Sequence, residues 1–348
     1  MADFHKVHIQ EVRQETANAV SVLFDIPERL KQDFNFVSGQ YITLQTLING
    51  EEVRRAYSIC STPKSNQIRV AIKAVENGIF SKYATTELKA GDAIEISAPE
   101  GRFELKPVAN KNYIAFAAGS GITPILSMVK SVLEEGTSAT FTLVYGNKTI
   151  ADTIFYEQLN SLKENHPNQL NLHYIFSREE VKNQLKGRID KSVTNYFVKN
   201  RYKETTFNAA YLCGPEEMIH AVSNTLKENY FTEKNVFFEL FTVSIDEEAL
   251  EDVQEGTSTI TVLLDDEETT FSMQQTDDIL AATLRNDLDP PYSCQGGVCS
   301  SCLAKVTEGK AVMAKNAILT DSEIAEGFIL TCQAHPTTAK IKIDFDDV

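Results

Sequence analysis

No run of about eighteen apolar residues occurs in this chain of 348 residues, so no segment is expected to span a bilayer. An apolar stretch is also missing from the start, where "MADFHKVHIQEVRQET" mixes charges with its first hydrophobes. No secretory signal is expected there. Low-complexity tracts and internal repeats are absent, and the 42% apolar content is that of an ordinary globular protein. Positive charge is scarce. A net charge of −16 makes nucleic acid a poor candidate ligand, because phosphate binding needs the opposite sign. Cysteine is sparse too, with six in all. With cytoplasmic residence expected and thiols kept reduced, a cysteine cluster points to a metal site rather than a disulfide framework.

The negative charge is uneven. From residue 251 onward there are 18 acidic and 6 basic side chains, a balance of −12, which leaves −4 for the first 250 residues. Two readings stay open: a solubility feature, or an acidic surface that steers a basic partner protein.

Residues 1–106 carry short alternating runs, "AVSVLFDI", "QYITLQTLI", "QIRVAIKAV" and "DAIEISAP". Period two with Val, Ile, Tyr and Thr predicts antiparallel strands, and their close spacing predicts a small β-barrel. Residues 107–243 change rhythm. "NYIAFAA", "TFTLVYG", "LNLHYIFS" and "AAYLCG" are continuous apolar strands that alternate with helical segments such as "TPILSMVKSVLEE" and "EEMIHAVSNTLKEN". That alternation predicts an α/β doubly wound parallel sheet. Residues 244–256, "SIDEEALEDVQEG", hold six acids and no base and read as a solvated linker. In residues 257–348 a β-hairpin turning at Asp265–Glu268 is expected, then a helix over "DDILAATLRND", the cysteine loop and a closing strand pair.

The loop "PYSCQGGVCSSC" has the spacing Cys294-x4-Cys299-x2-Cys302, with Cys332 thirty positions further on. This is the ligand order of plant-type [2Fe–2S] ferredoxins, with an expected potential near about −400 mV. Gly296 and Gly297 let the backbone adopt positive φ and approach an inorganic sulfide, and Ser300 and Ser301 are small. A structural zinc site favours two C-x2–4-C knuckles and finds one, while a Rieske centre needs two histidines that the loop lacks. Cys60 and Cys213 lie in apolar strand contexts, where a buried small hydrophobe is the default.

Such a cluster passes one electron at a time and needs a supplier. Arg55-Ala56-Tyr57-Ser58 ends a predicted barrel strand. Its residue types suit a flavin: a ring for the isoalloxazine face, a hydroxyl for N5, a guanidinium for the pyrophosphate. Gly78 and Ser81 form a G-x-x-S turn into a helix, where amides and dipole can hold phosphates. "AGSGITP" follows a strand and opens a helix with Gly119, Gly121, Thr123 and Pro124. "YLCGPEEM" carries Cys213 and Gly214, and "FFELF" ends with Phe241. In this order the five motifs resemble the ferredoxin–NADP⁺ reductase family, with a plant-type ferredoxin fused at the C-terminus.

The resemblance covers nearly the entire chain. It implies an FAD-binding barrel, a nucleotide-binding domain and an α+β ferredoxin of β-grasp type, with FAD preferred to FMN on that ground alone. It further implies Ser58 and Cys213 at the reacting centre, with Cys213 beside the nicotinamide and Phe241 near the flavin. The domain order is similar to that of oxygenase reductase components, among them the phenylacetyl-CoA epoxidase type of phenylacetate catabolism and those of ring-hydroxylating and 3-ketosteroid oxygenases. An oxygenase is therefore the implied partner, with neither nucleic acid nor membrane. A redox-sensing flavin and iron–sulfur protein without turnover, or a zinc-binding adaptor, are the readings from other classes.

For the nucleotide, Ser177 and Arg178 end the strand where the adenine ribose should lie, and Arg188 follows in "GRID". Cationic donors there suit the 2′-phosphate of NADPH, whereas NADH pockets favour a carboxylate. Glu179 and Glu180 pull the other way, and Arg178 could also be an ordinary surface arginine at a strand end.

Overall fold

The structure is a computed structural model that describes residues 4–135 and 138–348. It divides into two compact units, one of Phe4–Val53 with Tyr57–Phe241, the other of Thr242–Val348 with Arg54–Ala56.

The first unit opens with β1 (Phe4–Thr16), β2 (Ala19–Asp25), β3 (Tyr41–Ile48), β4 (Glu51–Ser58), β5 (Ile68–Lys73), α1 (Ile79–Thr86) and β6 (Ala93–Ser97). The six strands form one sheet in the order β4-β3-β6-β1-β2-β5. An antiparallel bridge from Ile59 to Val70 joins its two ends. Val22, Ile42, Leu44, Val70, Ile72 and Ile96 fill the interior with essentially no exposure. Strand β2 departs from simple alternation, since Ala19 to Phe24 are all buried. The reason is a second neighbour: small residues on the barrel exterior, Ala19, Cys60 and Ala71, share a core with the helix of the next domain.

That domain runs β7 (Asn112–Ala118), α2 (Ile122–Glu134), β8 (Thr140–Asn147), α3 (Tyr156–Asn165), β9 (Leu170–Phe176), β10 (Leu185–Lys186), α4 (Lys191–Asn195), β11 (Ala209–Cys213), α5 (Glu216–Lys227) and β12 (Val236–Glu239). Its sheet is wholly parallel, in the order β10-β9-β8-β7-β11-β12. Strand order reverses at β7, so the loops after β7 and β11 leave the same edge side by side. Open α/β sheets bind ligands at such a switch point. Helix α2 buries the apolar positions Ile125, Leu126, Val129, Val132 and Leu133, but also Ser127, Met128 and Ser131, because the sheet covers one side and the barrel another.

The second unit contains α6 (Glu247–Leu250), β13 (Thr257–Leu264), β14 (Glu267–Gln274), α7 (Ile279–Arg285), β15 (Leu303–Glu308), β16 (Ala311–Met313), α8 (Asp321–Ala325), β17 (Phe328–Leu330), β18 (Ala334–Pro336) and β19 (Lys340–Asp344). A five-stranded sheet runs β14-β13-β19-β15-β17, with β13 and β19 parallel at its centre, and β16 pairs with β18. The hairpin is tighter than expected. Its turn is Asp265–Asp266 alone, both at positive φ, and Glu267 and Glu268 already pair with Leu264 and Leu263. A two-residue turn of that hand matches strand twist better than a four-residue loop. Within the acidic segment, Asp246 caps α6 by accepting from the Ala249 amide at 3.0 Å. The Asp246 amide itself bonds the Ala314 carbonyl.

Candidate functional site

The flavin motif lies at the end of β4. Ser58 is nearly buried and its hydroxyl donates to Glu239 Oε2 at 3.0 Å. Tyr57 packs on Phe80 of α1 with ring centroids 5.6 Å apart, which brings the Tyr-Ser pair and the G-x-x-S turn together. In that turn Ser81 Oγ folds back to accept from the Val75 amide at 3.3 Å. A side chain on Gly78 would collide with it, so only glycine leaves the entrance to α1 open. Arg55 is half-buried and its guanidinium donates to the Arg54 carbonyl at 2.6 Å.

The nucleotide loops meet through backbone. Gly119 adopts a positive φ of 55°. A Cβ on Gly121 would run into the Cys213 carbonyl, and one on Gly214 would stand 2.6 Å from Met218 Cε. Thr123 is buried and bonds the Ser120 carbonyl at 3.1 Å, while Pro124 sits in the first turn of α2. The parallel register pairs Cys213 with Ala117 on one side and with Glu239 on the other.

Glu239 is the residue that sequence reasoning passed over, although it stands in the quoted "FFELF". Burial pushes its carboxyl up to about 8, against a smaller opposing effect of the Ser58 hydrogen bond. Burial also raises the Cys213 thiol, with Glu239 adding to it. Well below pH 8 the group of Ser58, Cys213 and Glu239 is therefore uncharged, and above it Glu239 gains a charge that pushes the Cys213 thiol further up. Phe241, two residues on, is more than a third exposed.

Lys73, at the end of β5, was also missed. Its Nζ would lie 3.6 Å from a Cβ on Gly119. Its pKa is lowered by burial and by the charge of Lys148, partly offset by Asp152. The Lys73 ammonium thus stands beside the glycine loop, with the charge of Lys148 close enough to be felt there, a setting suited to phosphate oxygens. Further along the edge, the Ser177 and Arg178 amides bond the Asn147 and Lys148 carbonyls. Arg178 and Arg188 are both exposed. The neighbouring carboxylates are engaged: Glu179 accepts from the Ile150 amide at 2.7 Å and Glu180 pairs with Lys186 at 3.3 Å.

In the second unit the four cysteines gather. Cys299 Sγ stands 3.1 Å from Cys294 Sγ, and Cys332 is within hydrogen-bonding reach of both Cys294 and Cys302. Hydrogen bonds from Cys299 and Cys332 hold the Cys294 thiol low, and the Gly296 and Val298 amides add to this. The Cys294 and Cys299 sulfurs are drawn closer than two thiolates on one tetrahedral metal, which stand roughly 3.7 Å apart for bonds of about 2.3 Å. Among the described residues no group of three or more His, Cys, Asp or Glu side chains is arranged to hold a single metal ion. The donor set and backbone nevertheless fit a thiolate cluster. Gly297 has φ +72°, and a Cβ there would meet the Lys315 carbonyl at 2.7 Å. The loop can wrap closely only with glycine at that point.

Glu239 also makes stability depend on pH. Its folded pKa lies above the unfolded value of 4.5, so stability is fully present below that value. It is lost as pH rises toward about 8, over which the cost reaches several kcal/mol. Glu239→Gln should match the wild type in thermal melts at pH 5 and exceed its Tm by a few degrees at pH 8. An equal offset at both pH values would show that this carboxyl does not hold its proton.

Comparison with known proteins agrees with the three-part architecture. Residues 6–105 match the oxidoreductase FAD-binding domain family, 116–224 the oxidoreductase NAD-binding domain family, and 262–337 the 2Fe-2S iron-sulfur cluster binding domain family. The chain is 36% identical to a subunit of the 1,2-phenylacetyl-CoA epoxidase of Escherichia coli, over 99% of both chains. It is 30% identical to the ferredoxin reductase component of 3-ketosteroid-9-alpha-monooxygenase of Rhodococcus rhodochrous, over 97% of this chain and 95% of that one. Among solved structures, phthalate dioxygenase reductase shares the fold with a TM-score of 0.66, 24% identity and 98% coverage of each chain. The chain therefore belongs to the ferredoxin–NADP⁺ reductase-like flavin iron–sulfur oxidoreductases, with FAD-binding, NAD-binding and [2Fe–2S] domains on one polypeptide.

Proposed function

We propose that this protein is the reductase component of an oxygenase of the phenylacetyl-CoA epoxidase type, drawing its electrons from NADPH. The observation that carries the reading is the meeting of Ser58, Cys213 and Glu239 at the switch-point edge, beside two glycine loops. The partner class rests on whole-length similarity to the Escherichia coli epoxidase protein. When bound, the flavin supplies the step from two-electron to one-electron chemistry, and the cluster carries single electrons onward.

The chain's own residues place and tune. The helix start at Gly78–Ser81 is suited to phosphates, with Arg55 for the pyrophosphate and Tyr57 for the flavin face. Ser58, whose hydroxyl here donates to Glu239, would turn it to N5, and Phe241 would lie near the ring. Lys73 and the Gly119–Pro124 loop would hold the nucleotide's phosphates. The uncharged Cys213–Glu239 edge suits a neutral nicotinamide. Cys294, Cys299, Cys302 and Cys332 would ligate the cluster. For the 2′-phosphate we assign Ser177, Arg178 and Arg188, and the engagement of Glu179 and Glu180 elsewhere favours NADPH. A second reading, an NADH-dependent reductase component of a ring-hydroxylating or ketosteroid oxygenase, draws on the steroid monooxygenase relative. Among the described residues no helix is long and apolar enough to cross a membrane. We place the protein in the cytoplasm on the ground that its cysteine cluster needs thiols kept reduced.

The test is anaerobic. NADPH should bleach the flavin and then the cluster of the holoprotein, and turnover with the oxygenase should fall steeply between low and physiological salt. That fall is expected because charge steering acts through a screening length of about 8 Å. The control is NADPH reduction of a small neutral acceptor at saturating nucleotide. Flat partner-dependent turnover would make the acids a solubility feature, and no reduction by either nucleotide would sink the assignment.

A further inference from the structure

Helix α2 touches both sides of the candidate reaction centre. At its start, Gly121 presses against the Cys213 carbonyl and the Gly214 amide. Along its flank it grips the backbone that follows Ser58. Ser127 Oγ donates to the Ser61 carbonyl at 2.6 Å, and Lys130 Nζ to the Cys60 carbonyl at 3.1 Å. Thr62 Oγ1 donates to Glu134 Oε2 at 2.5 Å, and Lys64 Nζ to the Glu134 carbonyl at 3.1 Å. Positions 127, 130 and 134 lie three or four apart, so they form one face of the helix.

Lys130 is the costly member of this face. It is mostly buried, and burial lowers its pKa; Cys60, Glu134 and Glu15 support the charge while Arg69 opposes it. An ammonium taken out of water against one carbonyl is poor value for stability, and an apolar side chain of similar volume usually does as well or better. The carbonyl it holds belongs to Cys60, two residues beyond Ser58.

We propose that Lys130 is a positioning residue for nucleotide oxidation: it locks the Cys60–Lys64 segment to α2 and thereby sets the gap between the Ser58 edge and the Gly119–Thr123 and Cys213–Gly214 loops. The proposal rests on the pyridine-nucleotide reading above. Reaction rates are sensitive to this gap, since a displacement of about 1 Å can cost on the order of a hundredfold.

The test uses Lys130→Met, Lys130→Arg and Ser127→Ala in the full chain carrying its flavin and cluster. Lys130→Met should keep or raise the Tm and hold nucleotide Kd within about twofold. It should slow single-turnover flavin reduction at saturating nucleotide about tenfold, between wild type and the hundredfold of a full ångström. Lys130→Arg should restore most of the rate. Amide hydrogen exchange at residues 59–64 and 119–123 should quicken in Lys130→Met and, less so, in Ser127→Ala. A folded Lys130→Met that reduces its flavin within twofold of wild type overturns the proposal. If that variant does not fold, Ser127→Ala decides: slower reduction with faster exchange supports the lock, and no change in either overturns it. A wild type that neither nucleotide reduces would refute the reading of the site, whereas the exchange measurement would still report on the lock.

Discussion

Cys299→Ser should empty the C-terminal domain of its iron and sulfide while leaving the flavin bound and reducible. The wild type should carry two irons and two sulfides per chain, as the plant-type ligand order implies. Cys299 is 2% exposed and stands against Cys294, so no other sulfur can take its place without rebuilding the loop. A serine hydroxyl is far less acidic than a thiol and is a poor thiolate substitute. Electron delivery to a one-electron protein acceptor should fall at least about a hundredfold, because the flavin would lose its one-electron outlet. Flavin bleaching by NADPH, read in the same stopped-flow trace, should keep its wild-type rate. Iron and sulfide analysis with the visible spectrum checks the first half. Zinc in place of iron in anaerobically prepared protein would overturn the cluster assignment.

Arg178→Ala should cut kcat/KM for NADPH by roughly 10–100-fold, the equivalent of one charge-assisted contact of about 1.5–3 kcal/mol. NADH use should barely change. The expectation comes from the position of Arg178, exposed just past β9 with its amide pinned to the Lys148 carbonyl, and from neighbouring carboxylates that are engaged elsewhere. The paired measurement matters, because a merely structural arginine would weaken both nucleotides together. Equal losses would remove Arg178 from phosphate recognition and favour the NADH-dependent reading.

Local chemistry and short periods were legible along the chain. Cysteines at spacings of four and two, glycines where only glycine fits, and the change from period-two strands to buried strands alternating with helices are properties of neighbouring residues. The barrel, the parallel sheet and the cysteine loop could therefore be read directly. The hairpin turn, expected over Asp265–Glu268, narrows to Asp265–Asp266 because two consecutive left-handed residues allow a tighter reversal than composition suggests. Tertiary structure decided what depends on distant partners. Glu239 was a lone acid in an aromatic strand until the β11–β12 register set it beside Cys213 and barrel closure brought Ser58 to it from 181 positions away. Lys73 stands beside the Gly119 loop only because the fold ends β5 there. Ser127 and Lys130 are polar positions on α2, yet Ser127 is buried and Lys130 mostly so, because α2 has the sheet on one side and the barrel on another. Periodicity reports which face of a helix is apolar. Which polar residues are then buried, and which carbonyls they must satisfy, is determined by the element that folds over them.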